Sequence, residues 1–141
     1  MIRTVPPEAP IVSLEDAKAQ FRDGSDFEDW LSQGYLDAAE AWIDGFDGVL
    51  GRCVLPQTWR ASASEVECGV KPRDIISTTE NVDGTVDYVC GMPAHKVALV
   101  RVAIMQLVAH WFDHRDAVSE LRLEEMPMGV RALIGSVRDW V

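Results

Sequence analysis

The feature that most constrains the fold is a periodic apolar pattern between residues 26 and 51. Aromatic and aliphatic side chains recur there at steps of three and four residues, from Phe27 to Leu50. This spacing places them along one face of an α-helix. Ser25 and Glu28 have the spacing of a capping box at its start, and glycines weaken its last turns. The pattern predicts one helix of about 25 residues, roughly 37 Å long at about 1.5 Å per residue.

The opposite face of this predicted helix is acidic. Residues 13–51 carry ten Asp or Glu and two Lys or Arg, a net charge of −8, whereas residues 52–141 have a net charge of −2. Tight binding of DNA relies on clustered Lys and Arg, so we do not expect it. Two interpretations stay open: a solvated helix face, and a functional surface that faces a partner or lines a passage for DNA. The predicted acidic face consists of Asp26, Asp29, Asp37, Glu40, Asp44 and Asp47.

Three further helices are predicted around this one. Ser13 is a favourable N-cap for a short helix at the start of the chain. Pro93 suits the first turn of a second long helix that continues to about Arg115. Apolar residues cover most of the circumference of that helix, so we expect it at the centre of the fold. Pro127 opens a last helix, which we expect to run to the final residue.

The segment between the two long helices is β-like. Residues 57–64, 75–79 and 85–89 are strand candidates, and Asn81-Val82-Asp83-Gly84 between the last two has turn chemistry. A small antiparallel hairpin or three-stranded patch is therefore predicted.

The predicted fold class is mainly α: a bundle of three to four helices, two of them long, with a small antiparallel β hairpin or patch before the central helix. The β insertion covers about residues 56–92. Prolines at positions 6, 7 and 10 favour extended backbone, so residues 1–12 are predicted to form an N-terminal arm, with a frayed terminus as the alternative. Residues 13–141 then form a single domain, as the length of the chain suggests.

One weak candidate for catalytic chemistry is present. His110 and His114 lie four residues apart on the predicted central helix, and Asp113 precedes the second. Such spacing can bring two imidazoles to one metal ion. The zinc-protease pattern requires Glu directly after the first His, where this chain has Trp111. We expect no catalytic residue, metal or cofactor, and keep a small metal-dependent enzyme using His110, Asp113 and His114 as an alternative.

The three cysteines, Cys53, Cys68 and Cys90, are widely spaced and odd in number. Such spacing is more typical of reduced thiols than of a secreted disulfide framework. Cys53 and Cys90 flank the β region, where we expect them to be small apolar fillers. The longest apolar stretch, residues 97–108, is short and is interrupted by Arg101, so no membrane span is expected.

Four stretches of the chain, taken in order, resemble the head–tail connector (adaptor) family of tailed phages, prophages and gene-transfer particles. They are residues 13–22 (opening helix), Ala41-Trp42-Ile43 followed by Leu55-Pro56-Gln57-Thr58-Trp59, residues 107–115 (end of the central helix) and residues 126–134 (closing helix). Family members commonly have a longer β segment than the one at residues 61–92 here.

The resemblance implies a structural subunit with no enzymatic activity. Copies of the chain would form a dodecameric ring beneath the portal protein, contact the next neck or tail protein, and let DNA pass without sequence-specific binding. The ring would belong to the neck of a virion assembled in the bacterial cytoplasm. Another neck or tail-completion protein is the alternative within this class.

The resemblance also implies that the C-terminal segment faces the portal. Two tryptophans, one on a predicted edge strand and one near the C-terminus, are the hardest to place in a single core, and Trp is a common interface anchor. The predicted interface residues are Trp59, Arg131, Ile134, Arg138 and Trp140.

Overall fold

The computed structural model describes residues 1–21, 29–113 and 127–138. Within these ranges the chain forms four strands and five helices. In chain order they are β1 (Ile2–Val5), α1 (Leu14–Phe21), α2 (Asp29–Ile43), β2 (Gln57–Ala61), α3 (Ala63–Glu67), β3 (Ile75–Glu80), β4 (Val86–Cys90), α4 (Ala94–Asp113) and α5 (Met128–Val137).

The four strands form one antiparallel sheet in the order β1-β2-β4-β3. Ile2 of β1 lies opposite Arg60 of β2, and Trp59 lies opposite Tyr88 of β4. On the other side of β4, Thr78 of β3 lies opposite the same Tyr88. The strands β2 and β4 are therefore internal, and β1 and β3 are the two edges of the sheet.

The predicted fold class is wrong, because the chain is a mixed α/β protein rather than a mainly α bundle with a small hairpin. The three predicted strand segments are found as β2, β3 and β4, but the first ends at Ala61, and the last residues predicted for it belong to α3 and its N-cap. The first residues of the chain, predicted as an arm, add a fourth strand before the first proline ends it. The short helix α3 was also not predicted, although Ser62 and Glu65 form a complete capping box at its start.

The helix α2 ends at Ile43, so the prediction of a helix reaching residue 51 is wrong at its C-terminal end. Gly45 adopts a φ of 91° and pairs with Arg52 in an isolated β-bridge. This left-handed conformation suits glycine, since it has no Cβ. A tight turn replaces the last predicted helical turns, and it brings the carbonyl oxygen of Asp44 so close to Gly48 that a Cβ there would collide with it. The predicted start of the helix, at residues 25–28, lies outside the described residues.

The helix α4 is the centre of the helical layer, as its all-round apolar sequence predicts. It packs against α1, α2 and α5. None of the helices in the described ranges is long and apolar enough to cross a membrane. The main core contains Ile11, Val12, Ala17, Leu36, Ala39, Ile43, Leu50, Val54, Met92, Val100, Ala103, Ile104, Leu107, Val108, Val130, Ile134 and Val137.

The two terminal helices begin and end in ways that the sequence explains in part. The backbone N–H of Asp16 donates to the Ser13 hydroxyl over 3.2 Å, which confirms the predicted cap of α1. The helix α5 follows Pro127 as predicted. It ends at Val137, because Arg138 takes an extended conformation (φ −62°, ψ 142°). The prediction that this helix runs to the last residue is therefore wrong.

Candidate functional site

The five described residues of the predicted acidic face lie in three different environments. Asp37 is exposed on α2 and accepts a hydrogen bond from the Gln33 side-chain amide over 2.8 Å. Asp47 is exposed in the turn after α2. Asp29 is half-buried at the start of α2 and forms an ion pair with Lys18 of α1 at 2.9 Å. Asp26 lies outside the described residues.

Glu40 connects α2 to the N-terminal segment. Its carboxylate accepts a hydrogen bond from the backbone N–H of Val12 over 3.0 Å. Burial raises the pKa of Glu40 above its ordinary value, more than the hydrogen bonds from the backbone of Val12 and Ile11 lower it. Glu40 therefore positions the segment between β1 and α1, in addition to carrying charge.

Asp44 is the buried member of the set, with a side chain 8% exposed. Its carboxylate accepts hydrogen bonds from the backbone N–H of Val54 at 2.8 Å and from the Gln57 amide at 2.9 and 3.1 Å. The guanidinium of Arg3 lies 3.7 Å from the same carboxylate. Asp44 thus joins the end of α2 to β1 and to the start of β2, and this buried charge has the partners that it requires.

The hydrogen bonds continue from Gln57 to Trp59. The indole N–H of Trp59 donates to the Gln57 side-chain oxygen over 2.9 Å. The rings of Phe46 and Trp59 pack edge to face, with their centroids 4.8 Å apart. The guanidinium carbon of Arg3 lies 5.8 Å from the centroid of the Trp59 ring. Trp59 is therefore fixed in position from several sides and is only 5% exposed.

An open cleft of about 430 Å³ lies between the N-terminal segment and α2. Pro6 to Pro10 form one wall, and Asp37, Glu40 and Asp44 contribute to the other. Glu8 and Arg3 also line the cleft. Four carboxylates against one guanidinium give this part of the surface an acidic character. A phosphate backbone is not a favourable ligand for such a surface.

The two edges of the sheet are the most exposed apolar parts of the strands. All six residues of β3 are exposed, including Ile75 and Ile76. At the opposite edge all four residues of β1 are exposed, including Ile2 and Val5. An edge strand presents unpaired backbone N–H and C=O groups, so it can pair with a strand of another chain. This surface was not predicted, although the β-branched residues of both segments were a signal for it.

The predicted interface residues do not form one surface. Trp59 lies on β2, an internal strand rather than the predicted edge strand, and Ile134 is buried in the main core. Arg131 and Arg138 are exposed on and just after α5. Trp140 lies outside the described residues. The side chains of Trp59 and Ile134 therefore contact their own chain, where they stabilise its core.

The alternative metal site is described only in part. His110 and Asp113 lie in the last turn of α4, and His114 lies outside the described residues. Within the described ranges no group of three His, Cys, Asp or Glu side chains is arranged to hold a metal ion. Nothing in the geometry of these ranges adds to the prediction of a metal-dependent enzyme.

No family model, no curated protein and no solved structure matches the chain. A function for the chain is therefore inferred from its own sequence and from where the structure places its residues.

Proposed function

We propose that the protein is a head–tail connector (adaptor) subunit, which assembles as a ring under the portal of a phage-like particle. The resemblance of four sequence stretches suggested this class. The observation that supports it best is the pair of open sheet edges, with β3 exposed along its whole length. A sheet edge that displays two isoleucines is a favourable place for contact with another chain.

The two edges of one sheet are different surfaces, so their pairing between copies is a heterologous contact. We propose that β3 of one copy pairs with β1 of the next. A heterologous contact repeated around an axis closes into a ring when the rotation allows it. The exposed residues Ile75 and Ile76 on one edge, and Ile2 and Val5 on the other, would provide the apolar contacts.

The acidic surface fits the passage of DNA. Asp37 and Asp47 are exposed, Glu8 is exposed beside the cleft, and the whole chain has a net charge of −10. A surface of this sign repels phosphate and lets a duplex move without being held. In this proposal the ring encloses DNA, contacts portal on one side and the next neck or tail protein on the other, and catalyses no reaction.

The test is the mass of the native particle, measured by light scattering over a concentration series with and without portal protein. We expect a monomer or weak association for the chain alone, and a ring-sized species at high concentration or on portal. A chain that stays monomeric in both conditions would overturn the proposal. Metal analysis of the same sample tests the enzyme alternative, since that alternative requires stoichiometric metal.

A further inference from the structure

Two buried cysteines lie against each other beneath the sheet. The sulfur atoms of Cys53 and Cys90 are 2.7 Å apart. Non-bonded heavy atoms at optimal separation lie about 3.5–4.0 Å apart, and a disulfide bond is about 2.05 Å long. The two sulfurs are therefore closer than ordinary contact and less than about 1 Å from bonding distance. Both residues are buried, with 1% and 0% exposure.

The backbone on both sides of the pair is fixed. Cys90 is the last residue of β4 and lies opposite Gln57 of β2. Two residues later, the N–H of Met92 donates to the carbonyl oxygen of Cys53 over 3.1 Å. Trp59 is buried in the same apolar cluster as the two cysteines, and Phe46 packs against this cluster. The approach of the two thiols is thus built into the fold, and does not depend on a flexible loop.

The thiols are protected in the folded protein. The hydrogen bond with Cys90 and burial both raise the pKa of the Cys53 thiol, so the reactive thiolate is scarce. The third cysteine, Cys68, is exposed in the turn after α3. Cys68 is therefore accessible to an oxidant in the folded chain. The buried pair becomes accessible to it while the chain is folding or when the folded chain opens.

We propose that Cys53 and Cys90 are an oxidisable pair that forms an intrachain disulfide on exposure to a small disulfide such as oxidised glutathione. One cysteine thiolate attacks a glutathione sulfur and expels the first glutathione thiolate. The second cysteine thiolate attacks the resulting mixed disulfide and expels the second. The two cysteines lose two protons and two electrons, and one glutathione disulfide is reduced to two thiols. This inference does not depend on the proposed ring.

The disulfide would close a loop between positions 37 residues apart. It would tie the segment that follows α2 to the end of β4. A cross-link of this span restricts the unfolded chain, and we expect it to raise Tm on the order of 10 °C. The reduced and oxidised forms would share one fold and differ in resistance to unfolding.

The experiment compares the wild-type chain with Cys68→Ser, which removes the exposed thiol and with it cross-links between copies. Each protein is refolded with oxidised and reduced glutathione, or with dithiothreitol. It is then unfolded in guanidinium chloride at neutral pH in the presence of excess N-ethylmaleimide, and analysed by intact mass and peptide mapping. We expect the oxidised Cys68→Ser chain to carry no alkyl group, and to yield a peptide that links Cys53 to Cys90.

The control is Cys53→Ala combined with Cys68→Ser, whose single remaining thiol has no intrachain partner. We expect it to be alkylated after reduction, and to carry either an alkyl group or one glutathione after oxidation. In the wild-type chain we expect Cys68 to carry either an alkyl group or a glutathione after oxidation, while Cys53 and Cys90 are linked to each other, and we expect three alkyl groups after reduction. Two alkyl groups on the oxidised Cys68→Ser chain, with the far-UV spectrum of the reduced form, would overturn the proposal. So would a wild-type map in which Cys68 is the residue linked to Cys53 or Cys90.

Discussion

Arg52 and Val137 join the segment after α2 to the end of the last described helix. The Arg52 guanidinium donates to the carbonyl oxygen of Val137 over 3.0 Å, and its side chain is almost fully buried. The same guanidinium pairs with Asp74, directly before β3. Asp74 has a φ of 53°, a conformation uncommon outside glycine. One side chain thus connects the end of α5 to the sheet.

Replacement of Arg52 by Ala is expected to destabilise the fold. The change leaves the Val137 carbonyl without this donor and removes the partner of Asp74, so we expect the free energy of unfolding to fall by about 2–3 kcal/mol. Urea unfolding followed by tryptophan fluorescence measures this change. The matched control is Arg60→Ala, which removes an exposed pair with Asp87 and should change stability little. Equal unfolding midpoints for the two variants would contradict the role given to Arg52.

Replacement of Asp44 by Ala tests the buried junction between α2, β1 and β2. The Val54 N–H and the Gln57 amide would lose their shared acceptor, at an expected cost of about 2–3 kcal/mol. Asp47→Ala removes a nearby exposed carboxylate and serves as the control. Thermal unfolding by circular dichroism compares the two. If both variants unfold like the wild type, Asp44 belongs to the solvated acidic surface and is not a structural residue.

The raised pKa of Glu40 predicts a pH-dependent difference between the wild type and Glu40→Gln. Between the ordinary value of 4.5 and the raised folded value, the folded protein holds a proton that the unfolded chain has released. The contribution of Glu40 to folding stability is therefore fully present below pH 4.5, and it is lost as the pH rises through the pKa of the folded protein. We expect the stability of Glu40→Gln relative to the wild type to increase over this range. Denaturant unfolding at a series of pH values measures the difference in unfolding free energy between Glu40→Gln and the wild type. A difference that stays constant or decreases as the pH rises would contradict the raised pKa of Glu40.

Ile76→Lys tests the proposed pairing of β3 with β1 of the next copy. Ile76 is 58% exposed at the edge, and a lysine there disfavours pairing while leaving the fold intact. We expect the association constant between copies, measured by light scattering, to fall by about tenfold or more, which corresponds to about 1.4 kcal/mol. Val82→Lys, at an exposed position of the β3–β4 turn, is the control. Ring formation that is unchanged in Ile76→Lys would exclude β3 as the contact.

Local signals in the sequence predicted part of this fold. The strands β2, β3 and β4 follow from their β-branched and aromatic residues, and the turn before Gly84 from its polar residues. The helix α4 follows from its all-round apolar pattern, and the start of α1 from Ser13. In each case the residues that determine the element lie within the element or next to it.

The parts that were missed depend on residues far away in the sequence. The strand β1 exists because its backbone pairs with β2, whose Arg60 lies opposite Ile2. The end of α2 depends on Asp44, which turns inward to reach Val54 and Gln57. A helical wheel assigns Asp44 to the acidic face because the wheel assumes that the helix continues. The acidic-face assignment stays a prediction for the exposed residues Asp37 and Asp47.

The position of β1 also has a consequence for folding during synthesis. β1 precedes α1 and α2 in the chain, so its partner β2 emerges from the ribosome only after both helices. The turn between β3 and β4 closes a short loop, whereas the pairing of β1 with β2 closes a long one, which costs more chain entropy. We therefore expect β1 to dock last and to show the fastest amide hydrogen exchange of the four strands. The edge strand that completes the sheet would also be the first to detach from it.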